Sequence, residues 1–265
     1  MKNLLFSFLF LCSLSGAAFA AIQTEEVTYK AGDTTLKGYL AYDDEATGQR
    51  PGILVVHEWW GNNEYSRKRA RMLAEFGYVA LAVDMYGEGK QADNPQDAGK
   101  LSGEIYGNPS LAKERFLAGL EYLKGFRLTD PSRIAATGYC FGGSMVLNMA
   151  MAGMDLNGVV SFHGSIPTPP ADLKPGDVKA KILVCHGGAD QFIKPEQMTA
   201  FTEAMEKAKA DYQVVTYPDA KHAFTNPDAD QYAEKFSIPI GYNVEADRKS
   251  WDDMQAFLKK IFGSS

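Results

Sequence analysis

Six short apolar runs rich in β-branched residues alternate along the chain with stretches of helical periodicity. Each run is apolar throughout, which is typical of strands that are buried on both faces. Strands of this kind separated by helices predict an α/β fold, with a mostly parallel sheet covered by helices on both sides. The runs are GILVVHE (52–58), YVALAVDMY (78–86), RIAATGYC (133–140), GVVSFHG (158–164), KILVCHGGAD (181–190) and YQVVTYPD (212–219).

Three other segments complete the predicted architecture. EEVTYKAG (25–32) and TTLKGYLAY (34–42) alternate polar and apolar residues around a Gly-Asp turn, which predicts an antiparallel hairpin at one edge of the sheet. Residues 195–209 begin with a proline and place their apolar residues on one helical face. Residues 87–110 are rich in Gly, Asn and Asp, which leaves open a mobile cap or an ordinary surface connection.

The first twenty residues have the pattern of a secretory signal peptide. Lys2 precedes an apolar run through Leu11, and Ala18-Phe19-Ala20 is a small-x-small cleavage site. The run is short for a membrane span, so an uncleaved anchor is the weaker alternative. We therefore expect an exported protein, periplasmic or secreted, in which residues 1–20 are removed and residues 21–265 form a single domain.

Composition narrows the function classes. The formal net charge is −6 and Lys and Arg are not clustered, which argues against nucleic acid or an anionic membrane as a partner. No two histidines are spaced i, i+4 on a helix, so we expect no metal site. The segment GEGKQA lacks the third glycine of a dinucleotide fingerprint, and we expect no cofactor.

The segment GYCFGG (138–143) lies where a predicted strand ends and a helical pattern begins. This G-x-C-x-G spacing is typical of a nucleophile elbow, a strained turn that needs glycine two residues before and after the nucleophile. The following helix would aim its N-terminal N–H groups at the Cys140 thiol. The alternative is a buried cysteine that ends a strand. Cys185 lies in a strand that we expect to be separated from the elbow strand by one other, so the two thiols should stay unpaired.

A nucleophilic thiol needs a base and an orienting carboxylate, and the chain offers both after later strands. Asp190 follows the run at 181–190, and His222 follows the run at 212–219. The order nucleophile, acid, base suits hydrolases with a nucleophile elbow. The alternatives are a helix cap for Asp190 and a surface-loop position for His222. Of the other histidines, we expect His57 to pack behind the oxyanion region and His186 to lie in a turn beside the acid loop, while His163 has no assigned role.

Together these motifs resemble the dienelactone hydrolase family of α/β hydrolases over essentially the whole chain after residue 20. The matching segments are HEWWG (57–61), VDMYG (83–87), GYCFGG (138–143), HGGAD (186–190) and KHAFTNP (221–227). The resemblance implies an α/β-hydrolase fold and an ester or lactone hydrolase that forms an acyl-thioester on Cys140.

The resemblance also implies roles for individual residues. His222 would be the base and Asp190 its orienting acid. Glu58 would be a fourth site residue, whose carboxylate touches the resting thiol and holds it in check. The backbone N–H groups of Trp59 and Phe141 would form the oxyanion hole.

The chain departs from the family at the substrate carboxylate. Relatives that open dienelactones hold that group with two arginines, whereas the stretches here read MYGEGK and HAFTNP, with Glu88, Lys90 and Asn226. We also expect the acidic groups of Glu58, Glu88 and Asp84 near the mouth of the site to repel an anion. Aromatic side chains instead suggest a pocket for a neutral ester or lactone, although each could equally belong to the core. They are Trp59, Trp60, Tyr86 and Phe224.

Three function classes follow. An ester or lactone hydrolase with a small-molecule substrate is favoured, as a monomer or small homo-oligomer. A peptidase or acyl transferase on the same fold would cleave amides or transfer the acyl group to an alcohol. A non-catalytic binding protein would keep its ligand affinity without Cys140.

Overall fold

The computed structural model describes residues 22–45 and 47–263, and the predicted signal peptide lies outside them. The described residues form one eight-stranded sheet with the order β1-β2-β4-β3-β5-β6-β7-β8. From β4 to β8 neighbouring strands are parallel, and β1 and β2 are antiparallel additions at one edge. The strands are β1 (Ile22–Ala31), β2 (Thr34–Asp43), β3 (Arg50–Val56), β4 (Val79–Val83), β5 (Thr129–Tyr139), β6 (Gly158–Phe162), β7 (Lys181–Gly187) and β8 (Tyr212–Tyr217).

Helices cover both faces of this sheet. The described part of the chain contains α1 (Glu64–Glu75), α2 (Pro95–Tyr106), α3 (Pro109–Gly125), α4 (Phe141–Met151), α5 (Pro195–Lys207), α6 (Ala229–Phe236) and α7 (Val244–Phe262). On one face α1 and α7 pack with residues such as Leu73 and Met254. On the other face α3, α4 and α5 bury residues such as Phe116, Leu147 and Phe201. Each of these large side chains contributes about 1.5–3 kcal/mol by leaving water.

The predicted architecture is confirmed. All six apolar runs contain strands of the parallel part of the sheet, and the N-terminal hairpin turns at Gly32-Asp33 as expected. Strands β3, β4 and β6 are buried along their whole length, which explains why their sequences are apolar on both faces.

The segment 87–110 contains the three-turn helix α2, which its composition does not indicate, and the mobile cap stays a prediction. Asn94 caps that helix by accepting a hydrogen bond from the N–H of Asp97, and Pro95 occupies its first turn. No helix among the described residues is long and apolar enough to cross a bilayer.

Candidate active site

Cys140 lies in a strained turn between β5 and α4. Its φ and ψ angles are 54° and −114°, a conformation that side chains rarely adopt. A Cβ atom on Gly138 would lie 2.0 Å from the carbonyl oxygen of Gly142, and one on Gly142 would lie 2.2 Å from that of Val56. Both glycines are therefore required by close backbone contacts, and the turn has the geometry of a nucleophile elbow.

Asp190 and His222 meet at the carboxyl edge of the sheet. Oδ2 of Asp190 lies 2.8 Å from Nδ1 of His222, and both side chains are buried. The helix-cap alternative for Asp190 does not hold, because α5 begins at Pro195 and its cap residue is Lys194. The surface-loop alternative for His222 does not hold either, because only 6% of the residue is exposed.

His222 also lines the same cavity as Cys140, and the Cys140 sulfur acts on its ring as a hydrogen-bond and charge partner. Burial opposes a charge on this ring, but a charged Cys140 sulfur and the Asp190 carboxylate outweigh burial and raise the pKa of His222, so the imidazolium is favoured once the thiol has lost its proton. The imidazole thus has both the thiol and the carboxylate as neighbours. This arrangement can accept a proton from the thiol and stabilise the resulting imidazolium.

Glu58 is buried at the same cavity, 3% exposed, and bonds an amide rather than the thiol. Nδ2 of Asn226 donates to its Oε2 at 2.6 Å, and among the described residues no hydrogen bond joins Glu58 to Cys140. Burial raises the pKa of Glu58 to about 7, while Asn226 and the His222 charge act in the opposite direction. The carboxyl group therefore changes its charge near neutral pH.

The backbone N–H groups of Trp59 and Phe141 belong to residues that line the cavity beside Cys140. Phe141 is the first residue of α4, where helix N–H groups have no partner within the helix. Within residues 22–45 and 47–263, neither N–H donates to a protein acceptor. A hydrogen bond of 3.0 Å from Gly142 N to His57 O ties the two segments together. Both N–H groups are thus available to an oxygen held above the thiol.

The cavity in front of Cys140 has a volume of about 210 Å³ and a mostly apolar wall. Trp60 lines it as predicted, but Tyr86 and Phe224 do not. Tyr86 is 2% exposed and donates to the carbonyl oxygen of Trp59, and Phe224 is fully buried against His163. Most of the remaining wall comes from separate segments of the chain that no sequence pattern marks as part of a site. Its members are Ser102, Tyr106, Ser165, Phe192, Ala223, Tyr232, Ile238 and Ile240.

Charged groups are scarce at this cavity. Apart from His222, the ionisable side chains that line it are Glu58, Cys140 and two tyrosines. None of the described lysines and arginines lines this cavity. The expectation that Asp84 and Glu88 lie at the mouth is wrong. Asp84 is fully buried and accepts backbone N–H groups, including those of Tyr86 and Gly87, and Glu88 accepts from the N–H of Thr35. Both carboxylates therefore stabilise the loop after β4 through hydrogen bonds to backbone N–H groups.

Two of the remaining histidines are buried beside the nucleophile turn. Nε2 of His57 accepts from Met85 N at 3.2 Å, its Nδ1 lies 2.6 Å from Glu58 O, and its ring stacks on Phe141. His57 therefore packs behind the segments of Trp59 and Phe141 as expected. The expectation for His186 is wrong, because His186 lies within strand β7 and not in a turn. His163, to which the sequence assigned no role, contacts the backbone of Cys140 itself. Only the three-dimensional arrangement reveals this contact.

Metal chemistry has no evident ligands here. In the part of the chain that the structure describes, no three His, Cys, Asp or Glu side chains are grouped as metal ligands.

Known proteins are similar to this chain in fold and in sequence. The model of the dienelactone hydrolase family matches residues 36–262. A protein of Escherichia coli (strain K12) named "Putative carboxymethylenebutenolidase" is 30% identical over 268 residues, covering 94% of each chain. The solved structure named m3DLH is 31% identical with a TM-score of 0.86, covering 91% of this chain and 99% of the other. The dienelactone hydrolase-like promiscuous phosphotriesterase P91, from metagenomic libraries, is 33% identical with a TM-score of 0.84 and the same coverage. The chain is therefore a hydrolase that belongs to the dienelactone hydrolase family, within the α/β hydrolases.

Proposed function

We propose that this hydrolase cleaves neutral esters or lactones through an acyl-thioester on Cys140. The observation that carries the proposal is the position of His222, whose Nδ1 lies 2.8 Å from Oδ2 of Asp190 and which lines the same cavity as Cys140. A base between a nucleophile and an orienting carboxylate is the arrangement that nucleophilic catalysis requires.

In the first half of the reaction, His222 takes the proton of the thiol and the sulfur attacks the carbonyl carbon. The carbonyl oxygen becomes an oxyanion that the N–H groups of Trp59 and Phe141 can stabilise. The C–O bond to the alcohol then breaks, and the alcohol leaves with the proton from His222. In the second half, His222 takes a proton from water and the resulting hydroxide attacks the thioester. The C–S bond then breaks to release the acid, and the sulfur takes the proton back from His222 to restore the thiol.

Glu58 has a second role in this proposal. As a fourth site residue beside Cys140, His222 and Asp190, it holds the resting thiol in check while its carboxylate is charged. Its contact with Asn226 supports a position close to the reacting groups but on a separate hydrogen-bond partner.

The substrate is proposed to be neutral because of what lines the cavity. A carboxylate that enters a partly buried site loses hydration, which costs several kcal/mol unless a cation replaces it. The cavity wall offers apolar and aromatic side chains, and Glu58, which is the one Asp or Glu among the described residues that line it, would add repulsion. The apolar parts of a neutral ester match this surface.

The test is a panel of aryl esters and lactones of varied size and charge, assayed on the wild type, Cys140→Ala and Cys140→Ser. We expect turnover of neutral members that is lost in Cys140→Ala, and a trapped adduct of the acyl mass on the Cys140 peptide. Turnover that survives in Cys140→Ala would refute the nucleophile. Cleavage of peptide amides, or transfer of the acyl group to an added alcohol, would favour the peptidase or transferase alternative. Ligand binding without any turnover would indicate a binding protein.

Neutral phosphotriesters are a second candidate substrate class. The relative P91 is named a promiscuous phosphotriesterase, and no lysine or arginine among the described residues of this chain lines the cavity. Adding one neutral aryl phosphotriester to the panel tests this. Release of the aryl alcohol by the wild type but not by Cys140→Ala is the expected result, and equal release by both would refute it.

We also propose that the protein is exported, on the signal-peptide pattern of residues 1–20. Sequencing of the exported protein should give Ala21 as its first residue.

A further inference from the structure

His163 is a buried histidine that the proposed reaction does not use, yet its ring touches both halves of the site. Its Nδ1 accepts a hydrogen bond of 3.1 Å from the backbone N–H of Cys140. Its Nε2 lies 2.6 Å from Oγ1 of Thr225, which is three residues after His222 in the same loop. One imidazole ring therefore connects the nucleophile turn to the loop that carries the base.

These contacts define the state of the ring. Because Nδ1 accepts a hydrogen bond from Cys140, the proton of the neutral ring must be on Nε2, which donates to Thr225. A second proton on Nδ1 would face the N–H of Cys140 and break the contact. Burial, followed by the charges of His222 and Arg69, holds the pKa of His163 well below its usual value, so the neutral ring is favoured.

Thr225 is held from its other side by a buried arginine. Arg69 on α1 donates to the carbonyl oxygen of Thr225 at 2.5 Å and to Oδ1 of Asp247 at 2.6 Å. The hydroxyl of Tyr65 lies 2.5 Å from Oγ1 of Thr225. All three partners of Thr225, including His163, are buried, so the loop is fixed by groups that cannot exchange their bonds for water.

The nucleophile turn needs such a support because it is strained. Cys140 has a φ angle of 54° and His163 one of 39°, both in the region that side chains avoid. The N–H of Cys140 is shared between Phe162 O at 3.0 Å and the His163 ring. Removing the ring acceptor would leave one bond in place of two at the residue whose sulfur must be aimed.

We propose that His163 is a positioning residue that couples the Cys140 turn to the His222 loop and so sets the distance from thiol to base. It neither transfers a proton nor touches the substrate. The effect on ester turnover rests on the proposed function, but the effect on Cys140 reactivity does not.

The experiment separates the two contacts of the ring. In His163→Asn the amide oxygen stands close to the former Nδ1 and keeps an acceptor for Cys140. In His163→Gln the amide stands close to the former Nε2 and keeps the link to Thr225. His163→Phe keeps a ring and loses both contacts. Thr225→Val retains its shape and the carbonyl bond to Arg69 but removes the hydroxyl. His186→Asn, at a half-buried histidine on β7 outside this network, is the matched control.

Two readouts are measured on each variant: kcat and KM for a neutral aryl ester, and the rate of iodoacetamide alkylation at Cys140 by peptide mass. We expect His163→Phe to lower kcat on the order of 10²-fold, with KM much less changed, because misplacing a reacting group by about 1 Å costs this much. We expect alkylation to stay close to wild type in His163→Asn and Thr225→Val, which leave the Cys140 N–H its acceptor, and to change in His163→Gln and His163→Phe, which remove it. We expect kcat to fall in all four variants, because each one breaks the link between the Cys140 turn and the His222 loop. His186→Asn should leave both readouts unchanged.

Equal alkylation and equal kcat in His163→Asn and His163→Phe would overturn the proposal, as would variants that lower only the melting temperature. If His163→Phe does not fold, the comparison of Asn with Gln still decides which contact matters. Because alkylation needs no ester, a protein without esterase activity would refute the proposed function and still leave this coupling testable.

Discussion

The side-chain amide of Asn226 donates a hydrogen bond of 2.6 Å to Oε2 of Glu58 inside the cavity that holds Cys140. Asn226 follows His222 by four residues, at a place where lactone-opening relatives are expected to carry an arginine. An arginine there would meet a substrate carboxylate with a positive charge. The asparagine carries no positive charge, and its N–H donates to a carboxyl group of the protein instead of to a substrate carboxylate.

Glu58 should therefore make stability depend on pH. Its pKa is raised from 4.5 to about 7 in the folded protein, so folding favours the protonated form. The free energy that this preference adds to stability is fully present below pH 4.5 and is lost as the pH rises to about 7. Glu58→Gln should be more stable than the wild type above that window, by up to about 3 kcal/mol, and the difference should shrink towards its lower end. Urea unfolding at both ends of the window measures it, and a constant difference would contradict the shift.

Substrate charge should govern specificity. We expect a neutral aryl ester to have a higher kcat/KM than a matched ester with a carboxylate beside the scissile bond, and added salt should narrow the gap. Asn226→Arg should raise kcat/KM for the carboxylate ester by at least about tenfold relative to the neutral one, since a hydrogen bond to a charged group is worth about 1.5–3 kcal/mol. A wild-type preference for the carboxylate ester would show that a cation reaches the site from elsewhere.

The histidines should differ sharply in their effect on turnover. His222→Ala should lower kcat by about 10²–10⁴-fold, because general base catalysis is typically worth that much. His186→Ala should cost far less, since His186 lies on β7 and does not line the cavity. Steady-state assays on the two variants decide this. Equal losses would mean that the wrong histidine has been assigned as the base.

The two cysteines after residue 20 should remain thiols. Cys140 follows β5 and Cys185 lies on β7, with β6 between them, so the spacing is about 10 Å and beyond disulfide reach. Both are free in the structure, and burial raises the pKa of Cys185 to about 12, which makes it unreactive. Non-reducing mass analysis should find two thiols. A linked pair of Cys140 and Cys185 peptides would contradict the strand order.

The sheet could be predicted from the sequence because strands such as β3 and β6 are buried on both faces and must be apolar throughout. The triad candidates followed from their positions at strand ends, where the topology of a parallel sheet brings loops together. Helix α2 was missed because only Ala98, Ser102 and Ile105 are buried in it, too few apolar residues to give a clear period. Its start signal, Asn94 before Pro95, was nevertheless present.

Other features depend on contacts that a sequence does not encode locally. Tyr86 and Phe224 are aromatic residues near the site, but residue type does not reveal whether a ring faces a cavity or the core. The role of His163 requires a residue 23 positions earlier and one 62 positions later, and neither has a spacing signal. Buried polar networks of this kind follow from the fold and cannot be read before it is known.

The turn around Cys140 and the wall of its cavity differ in how much sequence change they tolerate, in evolution or in a laboratory library. At Gly138 and Gly142 even a methyl group would collide with backbone atoms, so random variation there would yield almost only inactive clones. Helix α2 supplies Ser102 and Tyr106 to the wall from a separate surface segment that carries none of the proposed triad. Selection for new substrates should therefore concentrate its accepted changes on α2, and exchanging that helix between relatives is the shortest route to altered specificity with the chemistry intact.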